Sequence, residues 1–303
     1  MEVILRTNNL TKKFGKKIAV NKVNMNITKG DIYGFIGKNG AGKTTLMKMV
    51  LGLTTSTDGV IELFEGKTIQ EIGNKIGSLI ESPGLYRNAT AYENMYRFSI
   101  IFGGDDKKIN ELLKLVGLSK VGKKKVKDFS LGMKQRLGIA ISLLGDPEFL
   151  VLDEPINGLD PAGIKEIRDI ILKLNKEKGI TFLISSHLLD ELSKVVTKYG
   201  IIDHGSLIEE VDAKELIERC KNKLVITTKN LEKTKKVLKQ LLKEEDIKIK
   251  DNNVEILSLV NEGEKINKLL AENGIYASSI YAKLESLEDY FIDKIGDTNE
   301  KID

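Results

Sequence analysis

The chain has 303 residues, 41% of them hydrophobic and 30% charged, with a net charge of +4. That balance belongs to a globular chain long enough for one large domain and a smaller one. It excludes a membrane-spanning protein, since no apolar run approaches the ~20 residues a bilayer requires, and it excludes a disulfide-built fold, since Cys220 is the single cysteine. A charge this small gives no case for nucleic acid. The opening MEVILRTNNL lacks the long apolar stretch of a signal peptide, so the expected setting is a reducing cytoplasm.

Taken in chain order, residues 1–30 read as short strands with turns. IYGFIG (32–37) is an apolar strand that runs into a Gly-rich turn, and TTLMKMVLGL (44–53) follows as a helix. Ser78-Leu79-Ile80 reads as a strand that ends at Glu81, just before the turn Ser82-Pro83-Gly84. A carboxylate in that place is either a solvated edge residue or a working group. Residues 89–118 have helical periodicity, with Leu112, Leu113 and Val116 on one stripe. The basic block GKKKVKD (122–128) reads as a solvated face. A helix is expected over 131–146, with Leu137, Ile141 and Leu144 on one side. FLVLDE (149–154) and ITFLISSH (180–187) are unbroken apolar runs, which suggests buried parallel strands. A helix over 163–178 separates them. Strands alternating with helices predict an α/β sheet. His204, in DHG, reads as a turn residue.

After about Asp212 the pattern changes. Strands are expected at 223–228, 246–250, 253–260 and 275–281, with a turn at Asp251-Asn252. Helices are expected at 231–242, with Val237, Leu238, Leu241 and Leu242 inward, and at 263–274, ending at Asn273-Gly274. The order strand-helix-strand-strand-helix-strand predicts a small ferredoxin-like α+β module, followed by a last helix over 286–296. The expected domains are therefore 1–212 and 213–303.

GKNGAGKT (37–44) matches G-x-x-x-x-G-K-[ST] and lies between a strand and a helix, where that motif cradles phosphates. Gly37, Gly40 and Gly42 let the backbone curl around Lys38, Asn39 and Ala41, so that N–H groups face an anion at the helix N-terminus. Lys43 has the reach for the β- and γ-phosphates of ATP. Thr44 is a candidate Mg²⁺ ligand, with Thr45 beside it. Asp153 ends a buried strand, where it can hold Mg²⁺ through a water, and Glu154 next to it can polarise an attacking water.

With these motifs in place, the chain over residues 1–212 resembles the ATP-binding-cassette ATPases. FSLGMKQR (129–136) resembles their signature motif, NGLDP (157–161) their D-loop, His187 their switch histidine, and Phe14 in LTKKFG the aromatic that stacks on adenine. DIYGFIGKNGAGKTT, FSLGMKQRLGIA and SLEDYF are similar to the bacitracin-transport and lantibiotic-immunity ATP-binding subunits. The resemblance implies a P-loop domain with a helical subdomain at about 83–146. It implies an ATP-hydrolysing subunit of an exporter for peptide antibiotics. Two subunits would close on ATP, with Ser130, Leu131 and Gly132 of one facing the P-loop of the other. Separate permease subunits would hold the pair at the inner face of the membrane, with Pro83 to Asn94 near them. It also places Glu81 where such ATPases usually carry a Gln that touches Mg²⁺, which implies a metal ligand. Leu131 and Met133 depart from the usual Gly and Gln of the signature. Two other readings stay open. Relatives acting on ribosomes or DNA usually carry two cassettes or a long coiled-coil insertion, and this chain has neither. A regulatory module without turnover would not need Glu154.

Overall fold

The computed structural model describes residues 2–67, 69–220, 223–283 and 287–299. They fall into two compact units, Met1–Ala213 and Lys214–Asp303.

The first unit opens on two twelve-residue strands, β1 (Val3–Phe14) and β2 (Lys17–Thr28). They pair antiparallel from Val3↔Thr28 to Phe14↔Lys17, with four register shifts along the way. This differs from the short strands expected at 1–30. Each bulge resets the two-residue alternation, so neighbours such as Ile4 and Leu5 are both buried and the sequence reads as fragments. β3 (Ile32–Ile36) is buried at every position and leads through the Gly-rich turn into α1 (Lys43–Val50). β4 (Asp58–Leu63) pairs with β1 and completes a three-stranded sheet of order β2-β1-β4. It was not expected, because its half-exposed pattern carries Gly59 at a φ of 82°.

A short α2 (Ile69–Ile72) and β5 (Ile76–Leu79) follow. Then come α3 (Ala91–Phe102), α4 (Asp106–Leu115) and α5 (Leu131–Ser142), the helices of the expected subdomain. Each starts on a side-chain cap: Thr90 with Glu93 as a capping box, Asp105, and Ser130. The remaining elements are β6 (Phe149–Asp153), α6 (Pro161–Lys178), β7 (Thr181–Ser186), α7 (Leu189–Leu192), β8 (Lys198–Asp203) and β9 (Ser206–Asp212). β8 and β9, like β4, were not expected. α6 starts at Pro161, two residues before the expected 163, because Asp160 caps it and Pro fits the first helical position.

The main sheet has the order β5-β6-β7-β3-β8-β9. All its pairings are parallel except β8 with β9. Its register sets Asp153 opposite Ser185 and Ile36 opposite Ser186. The C-terminal ends of β3, β6 and β7 therefore form one edge, where ligands bind in open parallel sheets. Phe35, Val151, Leu183 and Ile202 from this sheet share one core with Leu46 and Met47 of α1. At roughly 1.5–3 kcal/mol per buried large apolar side chain, that core fixes α1 against β3 and so fixes the turn between them.

In the second unit α8 (Ala213–Arg219) leads to β10 (Lys223–Thr227), α9 (Leu231–Leu238), β11 (Ile247–Lys250), β12 (Asn253–Ile256), α10 (Gly263–Glu272), β13 (Ser279–Lys283) and α11 (Leu287–Asn299). The antiparallel sheet runs β11-β12-β10-β13. This is the split β-α-β arrangement of a ferredoxin-like unit. Several bounds differ from expectation. α9 stops at Leu238 and Leu241 is 39% exposed, not inward, while Val237, Leu238 and Leu242 are buried. β12 ends at Ile256, not 260, and the last strand begins at Ser279, not 275. Ile275 still packs into the core from the preceding loop. Ser286, the expected start of the last helix, lies outside the described residues.

Candidate functional site

The turn between β3 and α1 is shaped by close approaches that only glycine permits. A Cβ on Gly37 would lie 2.4 Å from the Ile202 carbonyl oxygen. Gly42 takes a φ of 110°, and a Cβ there would lie 2.4 Å from the Ala19 carbonyl oxygen. Gly40 is also left-handed, and Ala41 is buried with its N–H on the Lys38 carbonyl. The loop holds its lysine inward. Lys43 is 6% exposed, and its Nζ donates to the Gly37 carbonyl at 2.6 Å and the Lys38 carbonyl at 3.3 Å. Outside the loop is an open cavity of about 320 Å³. Lys38, Asn39, Gly40, Gly42, Lys43, Thr44 and Thr45 line it, together with Glu154 and with Phe14, Lys17 and Ala19 from β1 and β2. Phe14 is 54% exposed, so its ring is not core packing.

The acids meet the loop from β6. Asp153 is 3% exposed; its Oδ2 accepts from the Thr44 hydroxyl at 2.8 Å and its Oδ1 from the Ser185 hydroxyl at 2.5 Å. Ser185 in turn accepts from the Glu154 N–H at 2.8 Å. Glu154 has a φ of 49°, a conformation that is uncommon for a non-glycine residue and is retained where the surroundings over-determine it. Its Oε2 is 2.9 Å from His187 Nδ1, and its Oε1 lies 3.4 Å from Lys43 Nζ. Oε1 is buried and makes no hydrogen bond among the described residues. A lysine ion-paired with a carboxylate and a curled Gly-rich turn thus line one open cavity. Among the described residues no three His, Cys, Asp or Glu side chains cluster as a complete metal cage.

Residues 20–157 match the family model for ABC transporters. The chain is 45% identical over 301 residues to the bacitracin transport ATP-binding protein BcrA of Bacillus licheniformis, covering 98% of each chain. It is 47% identical over 229 residues to the lantibiotic transport ATP-binding protein SrtF of Streptococcus pyogenes, covering 75% of this chain and 99% of that one. The chain belongs to the ABC transporter family. It is the ATP-binding subunit of such a transporter and an ATPase. A solved dimeric ATP-binding cassette in a post-hydrolysis state, bound to ADP and Pi, shares its fold with a TM-score of 0.61 and 25% identity, over 69% of this chain and 99% of that one.

Two groups of expected site residues stand apart in this ABC ATPase. Ser130, Leu131 and Gly132 start α5 and do not line the cavity. The Ser130 hydroxyl accepts from the Met133 N–H at 3.3 Å, and Leu131 is 46% exposed, with a methyl lying over Gly158. Glu81, expected as a metal ligand, does not line that cavity. Its side chain is 65% exposed, its φ is 59°, and its Oε1 is 2.7 Å from Lys48 Nζ. The opposite charge one helical turn beyond Thr44 has drawn it there.

Ser185 was missed. It bridges Asp153 and the Glu154 backbone, and the sequence hint was slight: a small polar residue ending an apolar strand. Every residue lining this cavity of the ABC ATPase precedes Ala213. A chain cut after Ala213 is therefore expected to bind ATP within about threefold of the full chain, measured with a fluorescent nucleotide. A folded but non-binding truncation would show that the second unit completes the site.

Proposed function

We propose that this chain powers the export of a peptide antibiotic of the bacitracin or lantibiotic kind, as one of two identical subunits bound to separate permease subunits at the inner face of the membrane. The observation that carries this is the likeness to the bacitracin transport subunit over 98% of both chains, the second unit included. Among the described residues no helix is long and apolar enough to cross a membrane, so the path for the cargo falls to other chains.

In this proposal Thr44 and, through a water, Asp153 would hold Mg²⁺, which would supply positive charge against the phosphates. Phe14 stacks on adenine. Lys43 leaves the loop carbonyls for the β- and γ-phosphates. That frees Glu154 Oε1 to take the proton of the attacking water, while Oε2 stays on His187 and keeps the carboxylate oriented. His187 also faces the γ-phosphate. Ser130, Leu131 and Gly132 of the second subunit close the site, their N–H groups at the start of α5 meeting the γ-phosphate. ATP then bridges both subunits, and hydrolysis removes the bridge.

The permease side falls to the subdomain. A groove of about 220 Å³ is lined by Leu79, Ile80, Pro83, Leu85, Phe98 and Ile141. Tyr96, Ile100 and Ile101 of α3 are 52%, 72% and 71% exposed. An apolar patch of this kind on an α-helical face marks a protein contact. The test is loss of the subunit in its host, with minimum inhibitory concentrations of bacitracin and of a lantibiotic read beside membrane-fraction co-purification. A severalfold fall in resistance to either class, with the subunit recovered on a hydrophobic partner, is expected. Unchanged resistance to both, or recovery on ribosomes, overturns the proposal.

A further inference from the structure

Glu81 leaves the sheet beside the acids of the nucleotide site. Leu79 pairs with Leu152 in parallel register, so the chain exits β5 at the level of Asp153 and Glu154. Its carboxylate nevertheless pairs with Lys48 at 2.7 Å. Lys48 follows Thr44 by four residues on α1, hence on the same helix face, about 6 Å further along the axis. The pair is open to solvent, with side chains 38% and 65% exposed, and ion pairs of that kind add little to stability. Structural support is therefore a weak explanation for a contact made from a residue with a left-handed backbone, φ 59° at Glu81.

We infer that Lys48 is a positioning residue that parks the Glu81 carboxylate one turn away from Thr44, so that Glu81 reaches the metal–nucleotide site only by giving up this ion pair. The inference rests on the proposed Mg²⁺ site at Thr44 and Asp153. In the empty chain the parked carboxylate adds no negative charge beside Asp153 and Glu154, where a third acid would repel an incoming phosphate. With the metal present, the same carboxylate, once released from Lys48, offers the ion a hard oxygen ligand. Lys48 thereby sets how strongly nucleotide affinity depends on Mg²⁺.

The readout is the ratio of ATP affinity with Mg²⁺ to that with chelator, from equilibrium titration of a fluorescent ATP analogue into the full chain. Lys48→Met releases Glu81 and is expected to raise the ratio about two- to fivefold, the range set by an exposed ion pair. Lys48→Arg keeps the pair and is expected to match wild type. Removing a positive charge near the phosphates also raises the ratio by itself, so the deciding comparison is the Glu81→Gln background. There Lys48→Met is expected to have less than half its effect. An equal effect in both backgrounds, or none in the wild-type background, overturns the parking role. If Mg²⁺ fails to tighten ATP binding in the wild-type chain, the Thr44–Asp153 site itself is wrong and the inference falls with it. Thermal melting of each variant separates these outcomes from misfolding.

Discussion

Glu154→Gln is expected to lower the turnover number for ATP by about 10²–10³-fold, the range of a positioned general base, with ATP affinity within about threefold of wild type. The amide is nearly the same size and can keep its hydrogen bond to His187, and the Glu154 N–H still donates to Ser185. What is lost is the basic Oε1, the one oxygen of the pair without a hydrogen-bond partner among the described residues. The phosphate cradle is untouched, so ATP stays bound and the two subunits stay closed. Size-exclusion chromatography with Mg-ATP is expected to show a dimer that the wild type does not accumulate during turnover. Steady-state hydrolysis near wild type would remove Glu154 from the role of base, and a variant that hydrolyses slowly yet stays monomeric would remove ATP from the role of bridge.

Lys43→Ala is expected to weaken ATP binding by at least about 100-fold. A hydrogen bond from a charged group contributes roughly 1.5–3 kcal/mol, and Nζ has three donors to offer the phosphates. The loss has a second source in this structure. Lys43 Nζ is the cation beside Glu154, and it ties together the Gly37 and Lys38 carbonyls. Without it the acids Asp153 and Glu154 face an incoming polyphosphate without the ammonium that is paired with Glu154. Lys43→Arg restores the charge but not the fit inside the loop, and is expected to recover binding only in part. Mg-ATP affinity within a few-fold of wild type for Lys43→Ala would mean that the cavity above residues 37–45 is not the phosphate site.

The parts of this protein that were legible in its sequence are those whose signals sit within a few residues of one another. The glycines at 37, 40 and 42 answer local backbone demands, and the lysine and threonine that follow open the helix they feed. FLVLDE announces both a buried strand and its acidic end. The ferredoxin-like order of the second unit came from alternating periodicities alone. What needed the tertiary structure were the pairings between distant residues. β1 and β2 are single long strands only because bulges let them stay paired across broken alternation. β4 and β9 exist because β1 and β8 offer them an edge. Ser185 meets Asp153 because β6 and β7 run in parallel register, thirty-two residues apart in the chain. Glu81 shows the limit most clearly. Its position beside the acids follows from strand order, but the direction of its carboxylate was decided by an ammonium thirty-three residues earlier, on the helix that the glycines begin. Local propensity fixes where a chain turns; which charge a side chain meets after the turn depends on the packing of elements that sequence spacing does not encode.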